Sequence, residues 1–185
     1  MQSLTASLRV ALVTIAVCVV GYTAVSLGVA QAFVAHTANG SLITAADGTI
    51  VGSRPIAQKF TDHRYFWPRP SAVDYDGAGA GGSNASPTST DLTERARSLI
   101  ALHGATPEKP LPAELAAASG SGLDPHISER AALYQAERVG KARGLSIARI
   151  EALVRAHTSA PGGSLTTERV VNVLELNLAL DADFR

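Results

Sequence analysis

The sequence predicts an α+β protein in which one membrane-spanning helix precedes a single compact soluble domain. Three observations support this prediction. Residues 10–35 form a run of 26 without charge, strand-like apolar stretches follow it, and the C-terminal half shows helical apolar periodicity. The chain has 185 residues, and the roughly 150 that remain after the apolar run are enough for one hydrophobic core.

The apolar run from Val10 to Ala35 predicts a transmembrane helix. A helix of this length extends about 39 Å, which exceeds the ~30 Å hydrocarbon core of a bilayer, so it crosses with some tilt. The competing interpretation is a secretory signal peptide cleaved near Ala30-Gln31-Ala32, but signal peptides have shorter apolar regions. The predicted organisation is therefore a cytoplasmic segment at 1–9, a helix at 10–35 and a soluble domain at 36–185.

Charge around the helix predicts its orientation. Arg9 precedes the helix, and the first charged residue after it is Asp47, so the positive-inside tendency places the soluble domain outside the cytoplasm. Within the helix Ala24, Gly28 and Ala32 recur every four residues. This stripe is either a packing face for another helix or the ordinary small-residue content of a helix that contacts lipid.

Composition excludes several classes of function. Sixteen basic and sixteen acidic residues cancel, which argues against a nucleic-acid partner because nothing attracts a polyanion. The single cysteine, Cys18, lies in the apolar run, so the soluble domain forms no internal disulfide. The five histidines are scattered and none has zinc-ligand spacing, so no metal site is predicted.

The first part of the soluble domain reads as a hairpin and a loop. Asp47-Gly48 between two apolar stretches indicates a β-hairpin. Residues from about 68 to 89 are rich in Pro, Gly, Ser and Asn and predict a long flexible surface loop. Asp91 with Glu94 predicts a capping pair that opens a helix through about Leu102.

The remaining elements are mostly helices. Gly104 ends the first of them, and residues 107–112 form a linker. Ser128 caps a helix that ends near Arg143, with Gly144 as its C-terminal turn. Ser146 caps the next helix, which buries a stripe of apolar side chains: Ile147, Ile150, Leu153 and Val154. Residues 170–180 fit both a strand and a helix, and their length and composition favour a helix. The expected order is strands early and helices late.

Several motifs are candidate sites, and none is catalytic. Gly81-Gly82-Ser83-Asn84 is either an anion-binding nest or a flexible tip, and it is not a P-loop because no G-K-[ST] follows. Ser119-Gly120-Ser121-Gly122 has the same ambiguity and favours a structural turn. Asp124 and His126 lack an accompanying nucleophile, so they are interpreted as structural. Tyr65, Phe66 and Trp67 are interpreted as core residues or as interface anchors. A solvated side chain is the default for Gln135, inside an amphipathic helix.

The order of these motifs resembles the C subunit of the Kdp-type potassium-transporting P-type ATPase. The resemblance covers nearly the whole chain through seven blocks: N-G-S-L-I at 39–43, G-S-R-P-I-A-Q-K-F at 52–60, Y-F-W-P-R-P-S-A at 65–72, G-G-S-N at 81–84, A-S-G-S-G-L-D-P-H-I-S at 118–128, residues 135–144, and V-N-V-L-E-L-N-L-A-L-D at 171–181. Ala80 and Ser86 depart from the family pattern. Ala80 stands where the family has a serine, so a hydroxyl role at that position is in doubt.

The resemblance implies a non-catalytic accessory subunit in a bacterial inner membrane. Its partners would be a channel-like potassium-translocating subunit and a P-type ATP-hydrolysing subunit; this chain lacks the D-K-T-G phosphorylation sequence of the latter. The role usually assigned to the family is a catalytic chaperone that raises ATP affinity, which implies that Gln135, Ser83 and Asn84 contact a shared nucleotide and that no cofactor is bound stably.

Two alternatives remain open. One is an extracytoplasmic cap over the potassium-translocating subunit with no nucleotide contact, which the predicted orientation favours because ATP is cytoplasmic. The more distant one is a signal-anchored envelope binding protein or hydrolase, which would need a catalytic grouping that the sequence does not show.

Overall fold

The computed structural model of the chain describes residues 2–45, 47–165 and 168–184. It divides into two compact units between Leu42 and Ile43. The first unit is dominated by one long helix, and the second mixes helices and short strands. The predicted α+β class with an N-terminal apolar helix is confirmed.

The long helix runs from Gln2 to Phe33 and is apolar and long enough to cross a bilayer. It consists of α1 (Gln2–Thr14), a π-helical stretch (Ile15–Gly21) and α2 (Tyr22–Phe33), and the short α3 (Ala35–Ala38) follows. None of their described side chains is buried. An apolar helix surface of this length suits contact with lipid or with another membrane helix.

The predicted hairpin is confirmed. Strands β1 (Leu42–Thr44) and β2 (Ile50–Ser53) form a two-stranded sheet. In the turn, Asp47 Oδ1 accepts a hydrogen bond from Thr49 N at 2.9 Å, and Gly48 has φ +84°. This left-handed backbone is the reason that glycine suits the position.

Residues 54–89 contain no helix or strand, in line with the predicted loop. Helix α4 (Thr90–Leu102) follows, and its N-cap is Ser89. The predicted capping pair is therefore wrong: Asp91 lies in the first turn of α4, where its charge still favours the positive end of the helix dipole. Gly104 ends the helix region with φ +60°, as predicted. A short helix that the sequence did not indicate, α5 (Ala113–Ala116), comes after the linker.

The C-terminal half combines a three-stranded sheet with three helices. The strands are β3 (His126–Ser128), β4 (Thr158–Ser159) and β5 (Val170–Asn172), and the helices are α6 (Glu129–Arg143), α7 (Ile147–Ala156) and α8 (Val173–Asp183). The sheet is antiparallel in the order β3-β5-β4. The expectation of strands early and helices late is therefore wrong, because three-residue strands carry too few residues to show a period.

Helix caps agree with the sequence in part. Ser128 Oγ accepts from Ala131 N at 3.1 Å, and Gly144 ends α6 with φ +68°. Ser146 occupies the N-cap of α7, but its side chain accepts no capping hydrogen bond. Ile147 does not join the buried stripe, since it is 47% exposed.

The ambiguous segment at 170–180 is neither one helix nor one strand. It is β5 followed directly by α8, and Asn172 Oδ1 caps α8 by accepting from Glu175 N at 3.1 Å. The core lies between the sheet and helices α6, α7 and α8. Its buried members are Phe66, Leu115, Ile127, Ala131, Ala132, Ala136, Val139, Ile150, Leu153, Val154, Val171, Val173, Leu176 and Leu180.

Candidate functional site

The aromatic residues at 65–67 belong to the core. Phe66 is fully buried and Trp67 is 6% exposed, so the interpretation as core residues holds for both. Tyr65 is half-buried, and its hydroxyl donates to Asp181 Oδ2 at 2.9 Å. This hydrogen bond raises the pKa of Tyr65.

Two buried side-chain amides clamp the backbone of this aromatic segment. Gln135 of α6 accepts from Trp67 N at 2.9 Å and donates to Trp67 O at 3.0 Å. Asn177 of α8 does the same for Phe66, at 2.8 and 3.0 Å. Each amide satisfies both backbone groups of one residue, as a neighbouring β-strand would. We call these four residues the amide clamp.

The amide clamp corrects the expectation that the Gln135 side chain is solvated. It is only 1% exposed, and both ends of its amide are already bonded to Trp67. Asn177 was not identified from the sequence. The sequence feature that could have identified it is an amide among the leucines of 174–180. This pattern indicates a buried polar side chain, but it does not indicate which group that side chain bonds.

Arg138 completes the support of Trp67. Its guanidinium lies 3.8 Å from the centre of the Trp67 ring. Nη1 donates to the carbonyls of His63 and Tyr65 at 2.7 and 3.0 Å, and Nη2 donates to Gln135 Oε1 at 2.6 Å. Burial lowers the pKa of Arg138 to about 10.

The two glycine-rich motifs pack against each other. Gly81 N donates to Ser121 O at 2.8 Å, and a Cβ on Gly82 would lie 2.8 Å from Gly120 O. A Cβ on Gly122 would lie 2.6 Å from Val73 Cγ2 and 2.8 Å from Gly81 O. Gly82 and Gly122 therefore have no room for a side chain because the backbone of the other motif lies against them, and the Gly81 N–H is already bonded.

The polar residues of the second motif shape the same turn. Ser119 N donates to Pro70 O at 2.9 Å, and the Ser119 and Ser121 hydroxyls lie 3.2 Å apart. Asp124 accepts from His126 N at 3.0 Å and pairs with Arg69 at 3.3 Å. Hydrogen bonding from His126 lowers the pKa of Asp124. These contacts agree with the structural interpretation of Asp124 and His126.

The residues that the resemblance associates with nucleotide lie in two different settings. Ser83 and Asn84 are exposed, next to the glycine contact, and Asn84 has φ +48°. Gln135 is part of the amide clamp. In the described parts of the chain, no group of three or more His, Cys, Asp or Glu side chains could hold a metal ion.

We expect the stability of the domain to fall in mild acid because of His103. Its ring lies 5.3 Å from the Trp67 ring and 6.3 Å from the Tyr134 ring. Burial, and then the charge of Arg138, lower its pKa from 6.5 to about 4. The unfolded chain therefore binds the proton more tightly. The stabilising contribution is complete above pH 6.5 and is lost as the pH falls through about 4.

The expected loss is about 1 to 2 kcal/mol after allowance for partial solvent screening. Urea unfolding followed by Trp67 fluorescence between pH 7.5 and 4 would measure it. His103→Gln is the control because it does not titrate, and an equal pH dependence in this variant would contradict the assignment.

Comparison with known proteins gives a consistent result. The family model described as "KdpC: K+-transporting ATPase, c chain" matches residues 4–182. The potassium-transporting ATPase KdpC subunit of Parvibaculum lavamentivorans is 63% identical over 181 residues, covering 98% of this chain and 97% of the relative. The KdpC subunits of Sorangium cellulosum and Geobacter sulfurreducens are each 48% identical, and each alignment covers 86% of this chain and 87% of the relative.

Proposed function

Because the chain belongs to the KdpC family, the c chain of the K+-transporting ATPase, we propose that it stabilises that complex as a membrane-anchored, non-catalytic docking subunit. Its partners in this proposal are the potassium-translocating and the ATP-hydrolysing subunits. The helix at 2–33 anchors the chain in a bacterial plasma membrane, with Ala24, Gly28 and Ala32 facing a partner helix and the rest facing lipid.

The amide clamp is the observation that carries this proposal. Gln135 is the residue that the family resemblance would assign to nucleotide, yet its amide oxygen and nitrogen are both bonded to Trp67. Releasing it would leave buried backbone groups without partners, which is costly. A domain fixed in this way suits rigid protein docking better than nucleotide capture.

The proposal places the soluble domain outside the cytoplasm, and cysteine labelling tests this. In a Cys18→Ser background, we expect Glu108→Cys to react with a membrane-impermeant maleimide in intact cells, because Glu108 is exposed in the linker. Ser3→Cys, at the other end of the helix, is the control and should react only after lysis. The opposite pattern would overturn the extracytoplasmic placement and remove the topological objection to nucleotide contact.

The chaperone role is the second candidate, supported by the family resemblance and not by the geometry. It would require Ser83, Asn84 and Gln135 to contact ATP held by the catalytic subunit. We expect the double variant Ser83→Ala/Asn84→Ala to leave the ATP concentration for half-maximal activity of the purified complex unchanged. Both side chains are exposed, so the domain should stay folded.

A rise of roughly 2-fold to 13-fold or more in that ATP concentration would favour the chaperone role, since one lost hydrogen bond accounts for about 2-fold to 13-fold. Thr88→Ala, on the same segment, serves as the matched control for removal of an exposed hydroxyl. A Gln135→Ala complex is informative here only if its domain is shown to be folded.

A further inference from the structure

Tyr22 carries a hydroxyl group at the centre of the uncharged run. It lies 12 residues from Val10 and 13 from Ala35. With this run centred in a bilayer, the Tyr22 backbone lies ~15 Å from each edge of the hydrocarbon core. Tyrosines of membrane proteins are enriched at those edges, where the hydroxyl reaches the polar head groups. A tyrosine side chain that starts at the centre of the core is too short to reach either edge.

The Tyr22 hydroxyl has no partner among the described residues. Tyr22 is 71% exposed, and its hydroxyl forms no hydrogen bond within the described parts of the chain. Ser and Thr side chains in a helix can bond to the carbonyl four residues earlier, but a phenol holds its hydroxyl too far from the backbone to do so. Lipid tails offer no acceptor, so an unpaired hydroxyl at this depth costs free energy.

The backbone next to Tyr22 is irregular. The π-helical stretch Ile15–Gly21 ends at the preceding residue, and Tyr22 N donates to Val17 O, five residues earlier. π-Helical segments within α-helices are rare and occur frequently at functional sites. This observation does not depend on the polarity of Tyr22, and it indicates the same position on the helix.

Tyr22 lies on a different face from the small-residue stripe of Ala24, Gly28 and Ala32. Helix α2 is a regular α-helix from Tyr22 to Phe33. With about 100° of rotation per residue, Gly28 at the middle of the stripe is about 120° from Tyr22 around the axis, whereas Ser26 is only about 40° away. A straight helix packed on the stripe therefore leaves the Tyr22 hydroxyl without a partner.

We infer that Tyr22 donates a hydrogen bond to a second membrane helix, which belongs to a partner subunit and presents an acceptor oxygen near the middle of the bilayer. The acceptor is a carboxylate, a side-chain amide or a carbonyl freed at a kink. Polar side chains within membrane spans face other helices or water-filled cavities, and a cavity beside a single helix also requires a neighbouring protein. The inference rests on the proposed function and extends it, since that function leaves the Tyr22 face to lipid.

Competition for the complex tests the hydrogen bond. The potassium-translocating and ATP-hydrolysing subunits are co-purified in detergent with a fluorescently labelled wild-type chain, which unlabelled full-length chains then displace. Tyr22→Phe removes only the hydroxyl, and we expect it to compete about 3-fold to 20-fold less well than the wild type, the size of one interhelical hydrogen bond in a membrane. Ser7→Ala is the control, because it removes an exposed hydroxyl outside the uncharged run, and it should compete as the wild type does.

Photocrosslinking identifies what covers this face. A p-benzoylphenylalanine at position 26 leaves Tyr22 intact, and we expect it to capture a membrane helix of a partner subunit. Capture of lipid alone, or of a second copy of this chain, would overturn the inference. Equal competition by Tyr22→Phe and the wild type would also overturn it, while the proposed function would stand. A labelled wild-type chain that does not co-purify with the other subunits would overturn the proposed function, and this inference with it.

Discussion

Gln135→Ala is expected to destabilise the soluble domain by about 3 to 5 kcal/mol. The substitution removes both hydrogen bonds to Trp67, leaving a buried backbone N–H and C=O without partners. It also removes the Gln135 oxygen that accepts from Arg138 and leaves a void beside the Trp67 backbone. Urea unfolding of the full-length protein in detergent, followed by Trp67 fluorescence, measures the change in free energy.

Two further variants interpret that result. Gln135→Glu keeps an acceptor for Trp67 N but cannot donate to Trp67 O, and it leaves no large void. We therefore expect the free energy of unfolding to fall by about 1 to 3 kcal/mol. Gln58→Ala is the matched control. Among the described residues Gln58 makes one part-buried hydrogen bond, to Val51 O, so its loss should cost about 0.5 to 1.5 kcal/mol. A Gln135→Ala cost no greater than that of Gln58→Ala would refute the amide clamp as a major source of stability.

Gly122→Ala is expected to cost about 2 to 4 kcal/mol, through both strain and overlap. Its φ of +70° disfavours any side chain, and the new Cβ would lie 2.6 Å from Val73 Cγ2 and 2.8 Å from Gly81 O. Contact with a backbone carbonyl cannot be relieved by rotating a side chain. The loop at 69–82 must therefore move away from residues 119–122.

Gly104→Ala separates the two contributions. Gly104 has a similar φ of +60°, but a Cβ there would meet nothing within 4 Å. The Gly104→Ala variant should therefore lose only about 1 to 2 kcal/mol of unfolding free energy, the cost of a side chain on a left-handed backbone. Thermal or urea unfolding of both variants gives the comparison, and equal losses would show that the glycine contact between the two motifs contributes no specific stability.

The sequence predicted those parts of the fold that are stabilised by contacts between residues close together in the chain. The apolar run at 10–35 indicated the long helix, Asp47-Gly48 the hairpin turn, and Ser128 with Gly144 both ends of α6. In each case the stabilising contact lies within a few residues, as with Ser128 Oγ and Ala131 N. The order of the motifs also placed the chain in its family, because each block constrains a particular turn or packed face.

The three-stranded sheet and the short helix α5 were not predicted, for a different reason. Strand β3 pairs His126 with Asn172, across a separation that no local pattern encodes. Its three residues are too few to display a two-residue period. The segment at 170–180 was ambiguous because it contains a strand and a helix in succession.

By itself, then, the sequence determined the long apolar N-terminal helix, both ends of α6 and the family. The tertiary structure alone decided what the conspicuous residues do. Gln135 is a structural clamp because folding brings it to Trp67, 68 residues away, and Asn177 reaches Phe66 across 111 residues. The same holds for Gly82 and Gly122, since the backbone of the other glycine-rich motif occupies the space that a side chain would need. Such contacts join distant parts of the chain. The residue types indicate a buried amide or a position without a side chain, but only the folded chain shows which residue each of them contacts.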